Sequence, residues 1–244
     1  MFNLNFLPPM KMLRLLVPGL LLAVLLLSAF RVAATRETRP VGAFTSVGLG
    51  GSMRVVLRQG SPQKVEAEGD AEDLNHLETV VQNGRLRIGT KKEGYFSSYN
   101  YKGNVTVYVT MPTIKALAVS GSGTLKAADG IRADNLDLAV SGSGGIQLAS
   151  VTADKISSSL SGSGTIEAAG VAPDHNISVS GSGDVKATNL QSKTCSVSIS
   201  GSGDCRVRAS QSLQASIVGS GDVYVVGNPQ VKSSVVGSGR VHRE

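Results

Sequence analysis

Ile177-Ser178-Val179-Ser180-Gly181-Ser182-Gly183-Asp184-Val185-Lys186-Ala187 is the stretch that decides the fold. Its Gly-Ser-Gly centre occurs seven times, starting at Gly121, Gly142, Gly162, Gly181, Gly201, Gly219 and Gly237, with steps of 21, 20, 19, 20, 18 and 18 residues. A fixed period of this size marks a solenoid, in which each repeat is one coil stacked on the last. Aligned on the first Gly, the even offsets are apolar, small or Gly. Two before it stand Val119, Val140, Leu160, Val179, Ile199, Ile217 and Val235, and four after it Leu125, Ile146, Ile166, Val185, Cys205, Val223 and Val241. Five after it stand Lys126, Gln147, Glu167, Lys186, Arg206, Tyr224 and His242. This is a period of two, so the coils are strands with one face inward.

Both glycines of each tripeptide fall at inward offsets. A missing side chain there lets the chain bend or approach a neighbouring wall, so the tripeptide reads as a corner. About 20 residues per coil fits two or three short strands plus turns, and stacking satisfies the backbone in parallel ladders ~4.8 Å apart. One coil cannot bury its apolar face, but seven in series can. The expectation is an all-β chain whose residues 113–244 form a parallel β-solenoid, or β-helix, of seven coils.

Residues 35–112 read as an N-terminal β region of another kind. Strands are expected over 52–58, 64–68, 85–88 and 104–109, with a short helical turn over 71–77. Between the last two strands lies a polar, Tyr-rich loop holding Tyr95, Phe96, Tyr99 and Tyr101. Loops on rigid scaffolds often carry binding, so these four side chains are a candidate binding loop.

Residues 1–34 read as an export signal or, if uncleaved, a membrane anchor, the chain's one expected membrane contact. Lys11 and Arg14 form a basic start, 15–30 is an apolar run, and Val32-Ala33-Ala34 offers a small-residue cleavage site. Translation starting at Met1, Met10 or Met12 fits equally well. The expected location is therefore the periplasm, the outer-membrane surface or the medium. Net charge is +6, of which Lys11, Arg14 and Arg31 lie in the leader, leaving 21 basic against 18 acidic residues. So mild and scattered a balance argues against nucleic acid as a partner. The 29 Gly, the absence of Trp and only ten Phe and Tyr suit a thin core of small side chains.

Asp184, Asp204 and Asp222 share the offset three after the first Gly. In-register stacking sets three carboxylates ~5 Å apart, where like charges repel. Basic neighbours such as Lys186 and Arg206, or a calcium ion, would relieve this. The column is thus the candidate ligand or cation site, although its spacing differs from that of the nine-residue calcium-binding repeat. Ser120, Ser122 and their counterparts form outward hydroxyl columns, one of them broken by Val218 and Val236. Cys195 and Cys205 both sit at inward offsets, and two readings stay open: a disulfide across a thin core, or two buried thiols. His76, His175 and His242 share no ligand spacing with them, so no metal site is expected, and His175 reads as a partly buried residue at a turn. No nucleophile elbow, phosphate loop or dinucleotide fingerprint is present, and no catalytic residue is assigned.

The chain resembles the bacterial putative auto-transporter adhesin head GIN domain family, a family of unknown function. Three stretches carry the resemblance: Phe44 to Val47 leading into 50–57 and 65–70; Val80 to Ile88; and Val105 to Pro112, Ile114 and the first repeat at 119–123. The resemblance implies a right-handed β-solenoid and an exported protein. The leading functional expectation is a noncatalytic envelope or surface protein, an adhesin or scaffold contacting a cell-surface glycan or envelope component. The alternative is a glycan-binding or carbohydrate-active β-helix, calcium-dependent in one version. The chain stops partway through a coil, at Arg240-Val241-His242-Arg243-Glu244, which suggests end-to-end association with another copy.

Overall fold

The computed structural model describes residues 35–91 and 99–244. The leader, with Tyr95 and Phe96, lies outside the described residues. Residues 34–244 cluster as one compact unit with a continuous apolar core. Among the described residues no helix is long and apolar enough to cross a membrane.

The strands run in chain order as β1 (Thr35–Thr38), β2 (Ser46–Gly51), β3 (Arg54–Gln59) and β4 (Lys64–Gly69). A short helix α1 (Ala71–His76) precedes β5 (Leu77–Gln82), β6 (Arg85–Thr90), β7 (Thr106–Met111), β8 (Ala116–Gly121) and β9 (Thr124–Ala127). The repeats then give β10 (Ile131–Gly142), β11 (Gly145–Gly162), β12 (Thr165–Val171), β13 (Asp174–Gly181) and β14 (Asp184–Gly201). The last four are β15 (Cys205–Gly219), β16 (Val223–Val226), β17 (Gln230–Gly237) and β18 (Val241–Arg243).

Each Gly-Ser-Gly is a corner between two parallel walls. Wall A holds the residues before it, stacked as β6, β2, β8, β10, then the later parts of β11, β13, β14 and β15, and finally β17. Wall B holds the residues after it, from β7 and β3 through β9 to β16 and β18. The long strands reach a short third side through register shifts such as the one between Leu148 and Val151. The seven corners bound six full turns, one fewer than the repeat count suggests.

At a corner the chain reverses against the coil below. Ser143 and Gly144 both donate to the Gly121 carbonyl, at 3.0 and 2.8 Å. Gly181 has φ 121°, and a Cβ there would lie 2.5 Å from the carbonyl oxygen of Gly162. Glycine is required by both conformation and contact. The inward columns pack as expected: Leu125, Ile146, Ile166, Val185, Cys205 and Val223 are all buried. Cys195 and Cys205 are separate buried thiols rather than a disulfide, and burial pushes each up to about 12.

The N-terminal end departs from sequence order. β2 and β3 already form a coil, with Gly51 at φ 90° in register with Gly121, so Gly51-Ser52-Met53 is an eighth corner that lacks the second glycine. β6 and β7 then stack on the outer side of β2 and β3, so a later segment forms the first layer. Antiparallel strands close that layer: β5 on β6, β4 on β7 and β1 on β4. Pairing is therefore continuous across residues 112 and 113, from β2 to β8 and from β3 to β9.

Candidate functional site

Wall A presents the most regular surface. On every strand the residue before the corner faces outward: Ser120, Ser141, Ser161, Ser180 and Ser200 are exposed, and Val218 and Val236 continue the column. Two residues earlier a second outward column runs Ala118, Ala139, Ser159, Ser178, Ser198, Ser216 and Ser234. Parallel register aligns these hydroxyls ~4.8 Å apart along the stack and ~6.6 Å apart along each strand. Of these two columns, the sequence reading found only the first. The second was available in the same alignment, as serine recurring three residues before each corner from Ser159 onward.

Toward the capped end the same face sinks into a shallow groove of about 620 Å³. Gly48, Gly50 and Gly89 form its floor, and Arg85 and Arg87 stand at its rim. The Arg85 stem lies over Gly48, where a Cβ would come 3.5 Å from its Cδ. These two arginines were not singled out from sequence, because nothing local shows that β6 packs beside β2.

The aspartate column serves the backbone. Asp184 Oδ1 accepts from the Asp204 amide at 3.3 Å, Asp204 Oδ1 from the Asp222 amide at 2.9 Å, and Asp222 Oδ1 from the Arg240 amide at 2.7 Å. Each carboxylate caps the coil above it, so Arg240 ends the column through its amide. Among the described residues no group of three His, Cys, Asp or Glu is placed to hold a metal ion. Beside the column, the Arg206 guanidinium lies 4.7 Å from the Tyr224 ring centre, and His242 stacks on the other face of Tyr224 at 4.8 Å. His242 Nε2 also reaches Asp222 at 3.5 Å. Tyr224 thus lies between its neighbours along the stack, with little of its ring face free.

Tyr99 and Tyr101 are tied to the body of the domain. Tyr99 stacks on His76 at 3.8 Å and donates to Asp73 Oδ1 at 2.8 Å, and Tyr101 meets Tyr99 edge-on at 5.2 Å. Asp73, on α1, is buried and also accepts from the amides of Lys102 and Gly103 at 3.0 and 2.9 Å. Burial raises the Asp73 carboxyl, but these three donors outweigh it and hold the carboxyl below its usual value. Burial, then the Asp73 hydrogen bond, pushes the Tyr99 phenol up to about 12.

His175 is not at a turn. It sits on β13, 1% exposed, inside the core column between Ile156 and Cys195. Its Nε2 lies 3.0 Å from Ser158 Oγ, and burial lowers its pKa to about 4, so the ring is neutral. This polar pair is sealed from solvent and available for no surface chemistry.

The family model described as "Putative auto-transporter adhesin, head GIN domain" matches residues 43–229. A crystal structure of a "putative adhesin" from Bacteroides fragilis is 22% identical over 87% of this chain and 98% of that one, with a TM-score of 0.81. A "putative lipid binding protein" from Parabacteroides distasonis is 24% identical over 88% and 98% of the two chains, with a TM-score of 0.71. A "putative adhesin" from Parabacteroides merdae is 21% identical over 88% and 97%, with a TM-score of 0.69. At these identities the likeness is one of fold. No curated protein matches the chain.

Proposed function

The chain belongs to the family described as putative auto-transporter adhesin, head GIN domain, and on that premise we propose that it is a noncatalytic, exported protein of the cell envelope or surface that makes its contacts through the serine face of wall A. The observation that carries this reading is the double column of exposed hydroxyls on a rigid parallel sheet. From Ser159 to Ser200 neither column contains a charge.

A hydroxyl on a backbone fixed by the sheet has only its own short side chain left to order, so it donates or accepts at little entropic cost. Each such hydrogen bond contributes only about 1 kcal/mol net, so strength must come from repetition. An extended polymer that itself repeats hydroxyls, such as a cell-surface glycan, matches the array. The polar groups suited by type to catalysis are engaged elsewhere: the Asp column caps backbone amides, and His175 and Asp73 are buried in satisfied contacts. The leader in residues 1–34 supports export.

The test uses residues 35–244, the compact unit with its own core and cap. Wild type and the double variant Ser178→Glu, Ser198→Glu are compared on a glycan array and on whole bacterial cells, with and without a chelator. Both serines are exposed, so the variant folds. Wild type binds, and the variant loses at least tenfold in affinity. Binding that survives the double substitution places the contact elsewhere, and binding abolished by chelator defeats the cation-free reading.

A further inference from the structure

Wall A changes character as it nears the capped end. Its second outward column runs Ser198, Ser178, Ser159, then Ala139, Ala118 and Gly48, and the next outward residue is Arg87. The side chains shrink over those steps, and the surface sinks into the groove of about 620 Å³. From Ser159 to Arg87 is four strand spacings, about 19 Å. Ser120 and Ser141 of the first column carry hydroxyls into the hollow, which ends at two arginines.

The glycines of the floor are not explained by the fold. The corner glycines are forced by positive φ and by backbone contact, whereas Gly48, Gly50 and Gly89 take no such conformation. A Cβ at Gly48 would come no closer than 3.5 Å to any neighbour, one at Gly50 no closer than 3.7 Å, and one at Gly89 would meet nothing within 4 Å. Glycine weakens a strand, and where packing does not demand it, it marks close approach by a ligand or another backbone. The arginines lack an acid. Arg85 and Arg87 point outward from one strand, about 6.6 Å apart along it, where like charges repel. Among the described residues Arg87 meets the Gln82 amide oxygen at 3.4 Å, and neither arginine forms an ion pair. Glu78 lies opposite Gly89 on β5, but it lines the neighbouring hollow with Arg39 and Lys91. Asp137 stands three strands from Arg85, about 14 Å away.

We propose that this groove takes the anionic group of an acidic glycan, an oxyanion carried on a sugar ring, held by Arg85 and Arg87 while neutral hydroxyls of the same polymer lie along the serine columns. The planar guanidinium fork matches such an oxyanion with two parallel hydrogen bonds. The anion also offsets the repulsion between the two cations. The bare glycine floor lets a sugar ring sit against the sheet, within reach of Ser120 and Ser141. The volume of the groove falls in the range of small-ligand sites. This inference rests on the reading that wall A contacts a glycan, and it adds the charge of that glycan. A carboxylate and a sulfate ester both satisfy the fork, and the test separates them.

Residues 35–244 are immobilised and titrated by biolayer interferometry with polygalacturonate, dextran sulfate and uncharged dextran at physiological salt. Wild type binds an acidic polymer more tightly than dextran; preference for polygalacturonate assigns a carboxylate, and preference for dextran sulfate a sulfate ester. Arg85→Gln with Arg87→Gln weakens that binding by about tenfold or more, as the loss of charge-assisted hydrogen bonds requires. Gly50→Leu, whose Cβ has room but whose side chain fills the groove, weakens it likewise and leaves the circular dichroism spectrum unchanged. Lys126→Gln with Lys186→Gln removes the same charge from exposed positions on wall B and leaves binding within about twofold. The two readings fail differently on the same polymer. Ser178→Ala with Ser198→Ala, which copies Ala118 and Ala139 of that column, reports on the serine face alone. Binding that ignores this pair but is lost with the arginines removes the serine reading and supports the groove. A wild type that binds neither acidic polymer better than dextran overturns the inference. So does binding indifferent to Arg85→Gln with Arg87→Gln or to Gly50→Leu, or an equal loss from the wall B pair.

Discussion

Replacing Gly181 by Ala tests the corner directly. The residue adopts φ 121°, a region L side chains rarely enter, which costs about 1–3 kcal/mol. The new Cβ also lies 2.5 Å from the Gly162 carbonyl oxygen and 3.1 Å from its nitrogen. Both are backbone atoms of the coil below, so neither can swing aside, and overpacking of this kind costs about 1–3 kcal/mol more. The expected loss is therefore about 2–6 kcal/mol, a large share of the stability of any domain. Ser182→Ala, one residue along, removes an exposed hydroxyl and costs within about 0.5 kcal/mol. Position along the stack supplies the second control. Gly237 has the same conformation, φ 126°, and the same clash with the coil below, but only the last layer lies beyond it. Because repeats interact with their neighbours alone, Gly237→Ala frays one end and leaves the main unfolding transition in place. Urea denaturation of residues 35–244, followed by circular dichroism, distinguishes the three variants. A Gly181→Ala protein within about 1 kcal/mol of wild type would show that the corners are not sterically determined, and would refute glycine as the cause of the coil geometry.

Asp204→Ala removes the acceptor of the Asp222 amide and lowers stability by about 0.5–1.5 kcal/mol, whereas Asp204→Asn keeps an oxygen and loses less; calcium or chelator moves the melting temperature of wild type by under about 1 °C, as thermal denaturation will show. His175, depressed from 6.5 to about 4, binds its proton in the unfolded chain first, so the protein loses roughly 3 kcal/mol as pH falls from 6.5 to about 4 and nothing further from this group below that. His175→Leu, which matches Leu136 and Leu213 in the same column, flattens that part of the pH–stability curve. The lowered Asp73 carboxyl stabilises the fold above its ordinary value of 3.8, and that contribution disappears as pH drops through the folded value. Tyr99→Phe removes one of its three donors and speeds amide exchange at Lys102 and Gly103 several-fold.

The solenoid was legible because its determinants are local and repeated. A Gly-Ser-Gly corner, two inward residues before it and two after it recur at nearly fixed spacing, and the structure stacks them in register from Gly121 to Gly237. Strand positions near the N-terminus were also readable, since alternation predicts 64–68 and 85–88 and the strands span Lys64–Gly69 and Arg85–Thr90. Their arrangement was not. Nothing in Arg85 to Ile88 shows that it packs against Ser46 to Leu49 rather than following it, because that choice belongs to long-range pairing. The eighth corner escaped for a chemical reason: Gly51-Ser52-Met53 keeps the glycine at the strained position, Gly51, but has methionine where the tripeptide has its second glycine. The aspartates were correctly placed in a column, yet their role depends on where a short side chain reaches. Asp at the start of a strand lies close enough to cap the amide of the next coil, and a backbone amide is a partner the side-chain pattern alone does not display.

The distribution of polar chemistry on wall A is what the proposed contact function requires. Wall A spreads one group, the serine hydroxyl, along the axis, so that from Ser159 to Ser200 each coil repeats its neighbour. Toward the C-terminal coils two polar columns are engaged by the stack itself: Asp184, Asp204 and Asp222 bind amides, and Arg206, Tyr224 and His242 lie on one another. The serine face takes no part in such pairings, and its repetition is set by the same coil period that sets the fold. Lengthening such a protein by whole coils lengthens the contact surface in proportion. In a protein built this way, affinity is a matter of how many coils reach the partner at once.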